Sequence, residues 1–256
     1  MLFVADIGNT NIVLGIFQQE KLVKKWRLST HRNNTRDEYS IFLNSLLREN
    51  DITADDITAA SLCSVVPMIT PRFEEIIQKD FGVEPVVVRP GIKTGLQILY
   101  EPPHEVGADR VVNSVAGFRK YGGPLIIVDF GTATTFDVIT AGGEYIGGVI
   151  TPGPRISAEA LSVKAAQLPR VDMLKPREVI GKNTTDAMRS GLYYAHPGAC
   201  DRIIEKISES FDDRPTVIAT GGLADSVKEE SIYIEKIEHD LTLIGLKMIY
   251  EINTND

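Results

Sequence analysis

Two segments of this chain are built to one plan. FVADIGNTNIVLGIF, residues 3–17, and LIIVDFGTATTFDVIT, residues 125–140, each pass from an apolar run to Asp, to Gly two residues on, to small hydroxyl or amide residues, and into a second apolar run. Apolar runs on either side of a Gly-containing turn specify paired β-strands. Their recurrence near the start and near the middle of 256 residues points to two similar halves. A length prior of about 100–200 residues per domain accommodates them.

The flanking patterns agree in order. Residues 2–29 read as a meander of three strands, LFVAD, NIVLGIF and KLVKKWRLS, the last two joined by Gln18-Gln19-Glu20. From Thr35 to Asn50, Tyr39, Phe42, Leu43, Leu46 and Leu47 recur at helical spacing, with Thr35, Asp37 and Glu38 at the helix start. A strand at ITAASLCSV, a helix after Thr70-Pro71, a strand at EPVVVR and a helix over 107–120 complete the first half. Tyr121-Gly122-Gly123-Pro124 is the strongest break in the middle of the chain. After it come strands PLIIVD, TTFDVIT and EYIGGVIT, the latter two joined at Gly142-Gly143, and a helix from Arg155. A helix over 185–210, the strand TVIAT, Gly221-Gly222, a short helix, the strand IYIE and a closing helix from His239 follow. Pro152-Gly153-Pro154 and residues 168–176 read as loops. The expected class is α/β, with domains at 1–120 and 121–256.

Composition limits the partners. Hydrophobic residues make up 43% and charged residues 24%, as in ordinary globular proteins rather than disordered or fibrous ones. A formal net charge of −8 argues against a nucleic-acid footprint and a polybasic membrane surface, so an anionic ligand must be held by local groups. Met1 leads straight into an apolar strand without the basic flank and cleavage site of a signal peptide, and no apolar run approaches about 18 residues. Neither export nor a membrane span is expected. Cys63 and Cys200 lie far apart and read as buried free thiols in a reducing cytoplasm, not as zinc ligands.

The chemistry concentrates at the two turns. An Asp at the end of a buried strand can hold a cation or water, and the adjoining Gly lets backbone N–H groups approach a phosphate with no Cβ in the way. The turns join two strands, and neither G-x-G-x-x-G nor G-x-x-x-x-G-K-[ST] occurs in the chain, which sets aside the dinucleotide fingerprint and the P-loop. One D-x-G turn is commonly just a hairpin; two at corresponding places are a stronger signal.

DIGNTN at 6–11 and DFGTATT at 129–135 resemble the paired phosphate turns of the acetate kinase, sugar kinase, heat-shock chaperone and actin superfamily. Within it, GADR at 107–110, GGVITPGPRIS at 147–157 and TGG at 220–222 together resemble the type III pantothenate kinases, and these motifs span the chain in the family's order. The resemblance implies two ribonuclease H-like domains with mixed sheets flanked by helices, a nucleotide cleft between them, and ATP-dependent phosphorylation of pantothenate, the first step towards coenzyme A. It implies ATP contacts at Asp6, Ile7, Gly8, Asn9, Thr10, Asn11, Ile12 and Val13, at Thr132, and at Gly221 and Gly222. It places the base at Asp109 and substrate contacts at Tyr100, Gly107, Ala108, Asp109, Arg110 and Thr184, the last reaching across a homodimer interface. Asp129 would hold a monovalent cation, potassium or ammonium, and Asp6 would meet magnesium. Such cations fit an acidic protein that must receive phosphates beside carboxylates. In the segment before GADR, Pro102 stands where many relatives have Asn, which bears on the loop conformation.

Each residue also has a plainer use. Asp6 and Asp129 could cap their own turns, Asp109 and Arg110 could be a solvated helix pair, Tyr100 could pack a loop, and Thr184 could be a helix N-cap. Asp137 and Glu144 read as solvated hairpin residues, His104 as a surface residue, and the four histidines show no ligand spacing. The rival functions are another kinase or a polyphosphate-type phosphatase of the superfamily, and a non-catalytic nucleotide-binding regulator, against which the low basic content argues for any direct DNA contact.

Overall fold

The structure, a computed structural model, describes residues 1–165 and 168–254. The chain divides into two compact units: Met1–Ala116 with the chain from Leu241, and Gly117–Asp240.

The first unit opens with strands β1 (Leu2–Ile7), β2 (Asn11–Gln18) and β3 (Lys21–Ser29), followed by helix α1 (Arg36–Arg48), β4 (Ala59–Ser64), α2 (Thr70–Asp80), β5 (Val86–Val87) and β6 (Gln97–Ile98). Its sheet runs β3-β2-β1-β4-β5, with β1 antiparallel to β2 and parallel to β4. Helix α1 starts where the sequence places it. The Thr35 hydroxyl accepts from Glu38 N–H while the Glu38 carboxylate accepts from Thr35 N–H, a reciprocal cap that satisfies two otherwise orphaned donors.

Strand β1 is buried on both faces, and the period of two sorts its residues. Phe3, Ala5 and Ile7 pack with Tyr39, Leu43 and Leu47 of α1 and with Phe73, Ile76 and Ile77 of α2. Val4 faces the other way, with Cys63 of β4, onto Val112 and Val115 of helix α3 (Ala108–Tyr121) and Leu243, Leu246 and Ile249 of the closing helix. The same parity puts Asp6 on this second face, at the end of the strand.

The second unit repeats the plan with β7 (Leu125–Phe130), β8 (Ala133–Ile139), β9 (Glu144–Pro152), α4 (Pro154–Lys164), α5 (Thr184–Ser208), β10 (Thr216–Thr220), α6 (Ala224–Lys228) and β11 (Lys236–Ile237). Its strands run β9-β8-β7-β10-β11, the order of the first sheet element for element. β7 is antiparallel to β8 and parallel to β10, as β1 is to β2 and β4. Ile126, Val128 and Phe130 pack with Cys200 and Ile204 of α5, Val217 and Ala219 of β10, and Val227 of α6. On the opposite face Leu125 and Ile127 approach Gly117 so closely that a Cβ there would meet Ile127 Cδ1 at 2.6 Å.

Three expectations need correction. The closing helix α7 (Leu241–Thr254) packs with the first unit, not in a domain 121–256, because its stripe Leu243, Leu246 and Ile249 fills the face that β1, β4 and α3 leave open. Gly245 permits this: a Cβ there would sit 2.3 Å from Val112 O of α3. The last strand lies at Lys236–Ile237 rather than at IYIE. Asp137, expected to be solvated, is fully buried and accepts from Tyr145 Oη at 2.8 Å; strand parity turns it inward beside Ile127.

Candidate active site

In the first unit, Gly8 N–H closes the first turn on Asn11 O at 3.0 Å, and a Cβ on Gly8 would come within 2.9 Å of that same carbonyl. The segment after β3 braces the turn from outside. Thr30 Oγ1 donates to Gly8 O at 2.7 Å, Thr30 N–H donates to Thr10 O at 2.9 Å, and Arg32 Nη2 donates to Asn9 Oδ1 at 3.0 Å. Asn9 and Thr10 are exposed at the tip, whereas Ile7 and Ile12 are buried beneath it. The turn is thus held by carbonyl contacts and anchored by apolar side chains.

Asp6 keeps some solvent-accessible surface, yet the packed atoms around it and the nearby charge of Asp109 push its carboxyl up to about 7. Cys63, its partner across the parallel β1–β4 register, donates its thiol to Asp6 Oδ1 at 3.4 Å. Burial, reinforced by the charges of Asp6 and Asp109, raises the Cys63 thiol well above its usual range, so it stands there as a neutral donor.

Asp109 lies in the first turn of α3, where a helix N-terminus favours negative charge. Its Oδ1 accepts from Arg110 N–H at 2.8 Å and folds back over Gly107, where a Cβ would stand 2.5 Å from it. That is the physical reason for Gly in GADR. Burial raises the Asp109 carboxyl, while the Arg110 N–H and guanidinium oppose the rise; a more basic carboxylate suits proton acceptance. Arg110 is itself buried, which removes its reading as part of a solvated helix pair. Tyr100 is half-buried, Ala108 opens α3, and the loop between them carries a cis Glu101–Pro102 bond and a 3₁₀ turn at Pro103–Glu105.

In the second unit, Gly131 N–H bonds Ala133 O at 3.1 Å, a turn one residue tighter than the first. Thr132 is exposed at its tip, and Gly153 backs it: Gly153 N–H donates to Thr132 O at 3.2 Å, and a Cβ there would meet that oxygen at 2.4 Å. Pro152-Gly153-Pro154, expected as a loop, ends β9, caps α4 and starts it. Gly221 follows β10 with φ +93°, and its missing Cβ leaves room for Asp129 Oδ1 at 2.5 Å and the Phe130 backbone at 2.7 Å. Asp129, Gly221 and the exposed Gly222 are therefore neighbours.

Thr184 is exposed at the start of α5, on a groove of about 780 Å³ shared with Ser157, Lys182 and His196. The cap of α5 is Asn183, whose side chain accepts from Asp186 N–H at 2.9 Å, so capping does not account for Thr184. Cys63 and Arg32 escape a reading of the sequence alone because register and loop return bring them to the first turn, and the contact of Gly153 with Thr132 escapes it for the same reason.

A carboxylate pushed up by burial beside a second carboxylate is a place where a divalent cation relieves the electrostatic cost, so the donor set at Asp6 fits magnesium. Among the described residues no group of three or more His, Cys, Asp and Glu side chains gathers for a metal, so phosphate and water oxygens would complete the shell. No helix among the described residues is long and apolar enough to cross a membrane.

Two units whose five strands share one order, each carrying a Gly turn after its first strand, define a duplicated α/β fold, and solved structures share that fold. A protein of Campylobacter jejuni described as a Baf-family transcriptional activator is similar over 99% of this chain and 100% of its own, with TM-score 0.62 at 18% identity. The activator of 2-hydroxyisocaproyl-CoA dehydratase from Clostridium difficile, with bound ADPNP, matches 98% of this chain and 93% of its own at TM-score 0.55 and 12% identity. A Listeria monocytogenes protein described as an N-acetylmannosamine kinase matches 99% of both chains at TM-score 0.59 and 12% identity. Within this class, the family profile for type III pantothenate kinase matches residues 2–206, and a type III pantothenate kinase of Bacillus cytotoxicus is 51% identical over 253 residues, 99% of this chain and 97% of that one. The chain belongs to the type III pantothenate kinase family.

Proposed function

We propose that this chain transfers the γ-phosphoryl group of ATP to the primary hydroxyl of pantothenate, opening coenzyme A synthesis, with Asp109 as the general base. Membership of the family supports the reaction. The observation that carries the assignment of the base is the Asp109 carboxylate, folded over Gly107 and close enough to Asp6 that its charge raises the Asp6 pKa. In the transfer, the Asp109 carboxylate takes the hydroxyl proton as that oxygen bonds to phosphorus, and the bond to the β-phosphate oxygen breaks, so that ADP leaves with the electron pair.

Residues Asp6–Val13 hold phosphate on the exposed amides of the first turn, and Asp6 meets magnesium, which offsets phosphate charge when bound. Thr132, Gly221 and Gly222 add ATP contacts, and Asp129 holds a monovalent cation, potassium or ammonium, beside Gly221. Tyr100, Gly107, Ala108 and Arg110 receive pantothenate with Asp109, the buried Arg110 suiting its carboxylate. Thr184 completes that site from the partner in a homodimer, a role its exposure and its freedom from capping duty allow. The cytoplasm is the compartment, in keeping with two free buried thiols.

The test is ADP release with and without pantothenate, in potassium and in sodium buffers. Asp109→Asn is expected to lower kcat about 10²–10⁴-fold with ATP binding retained. Near wild-type turnover by that variant would remove the base, and equal rates in the two salts would remove the monovalent cation from Asp129.

A further inference from the structure

Arg32 brings a positive charge into hydrogen-bonding contact with the first turn: its Nη2 donates to Asn9 Oδ1 at 3.0 Å. Its position is built rather than incidental. Two residues earlier, Thr30 is tied to the turn by bonds to Gly8 O and Thr10 O. On the other side Arg72 Nη1, from α2, donates to Arg32 O at 2.8 Å and to Asn34 O at 2.6 Å. The backbone that carries Arg32 is therefore pinned at both ends, while the guanidinium itself stays exposed beside the exposed tip residues Asn9 and Thr10. A guanidinium has five N–H donors in a planar fork, and the bond to Asn9 leaves donors in that fork for a second acceptor.

The electrostatic setting makes the choice of acceptor. The protein carries a formal charge of −8, and Asp6, in the strand that leads into the turn, adds a carboxylate close by. A fixed cation at the tip serves a polyanion there and has little use for a neutral ligand.

We propose that Arg32 is a further nucleotide-binding residue, which takes the terminal phosphates of ATP and holds them against the first turn. This rests on the phosphate role proposed for that turn. Arg32 discriminates by phosphate number, favouring ATP and ADP over AMP and leaving adenosine unaffected. Arg72 acts through it, as a positioning residue that keeps the Arg32 backbone against the turn.

Isothermal titration of the full-length protein with adenosine, AMP, MgADP and MgATP, without pantothenate, tests this. Arg32→Gln is expected to weaken MgATP and MgADP about tenfold or more, with adenosine affinity unchanged and Tm unchanged, because the side chain is exposed. Arg32→Lys, which keeps the charge and loses the fork, falls between the two, and it serves alone should the Gln variant misfold. Binding of MgATP by both variants within twofold of wild type would overturn the proposal, as would an equal loss for adenosine. A wild-type protein that shows the expected Arg32 dependence of ATP binding but releases no ADP with pantothenate would sink the kinase reading and leave Arg32 as a phosphate ligand.

Discussion

At the residue scale, the site sets function against stability. The Asp6 carboxyl is raised from its ordinary 3.8 to about 7, chiefly by burial and then by Asp109. A folded-state pKa above the unfolded value means that the folded protein binds the proton more tightly. The group's contribution to stability is therefore fully present below about pH 4 and lost as pH rises through about 7. In magnesium-free buffer, Asp6→Asn is expected to be more stable than wild type at pH 8 by about 1–3 kcal/mol, with the gap closing towards pH 4, while turnover is lost. Urea unfolding of both proteins at the two pH values checks it; a pH-independent gap would remove the buried carboxylate as its source. Such a carboxylate is tolerable where a cation joins it in the working state.

At the element scale, parity and glycine decide what meets what. The motif D-x-G could be read off the sequence, and so could its place between strands; which face each Asp takes could not. Alternation along β1 and β7 puts Asp6 with Val4 and Asp129 with Ile127, away from Phe3, Ala5 and Ile7 and from Ile126, Val128 and Phe130. The burial of Asp137 has the same origin: its surroundings depend on the face of β8 it occupies, and that face is covered. The TGG motif likewise has a structural reason at Gly221, with φ +93° against unyielding backbone. Gly221→Ala is expected to cost about 1–3 kcal/mol and to weaken the potassium dependence proposed for Asp129, because the new Cβ displaces that side chain. Thermal unfolding together with a potassium titration of the rate checks both effects; a stable variant with a normal potassium response would separate Gly221 from Asp129.

At the scale of the whole molecule, the two units share one strand order, yet they are not equal segments of chain. The closing helix α7 belongs with the first unit, where Leu243, Leu246 and Ile249 are buried against Val4 and Val112. Lys247, itself buried, ties the helix further to the β2–β3 turn through Glu20 at 2.8 Å, with Glu251 of the same helix as its second partner. Leu246→Ala is expected to destabilise by about 2–5 kcal/mol. Native-state hydrogen exchange should then quicken in β1 and β4 before it does in β7 and β10, and a rise of equal size in both sheets would contradict the division of the core.

The sequence by itself determined the duplicated strand–turn–strand plan, most element positions, the cap of α1 and the motifs that identify the family, because these depend on residue type and spacing over a few positions. Only the tertiary structure decided the rest. It set the side of the sheet on which each Asp lies, placed Cys63 and Arg32 at the first turn and Gly153 at the second, and gave α7 to the first unit. Each of these follows from strand register or from which apolar face remains to be covered, and both couple residues far apart in the chain.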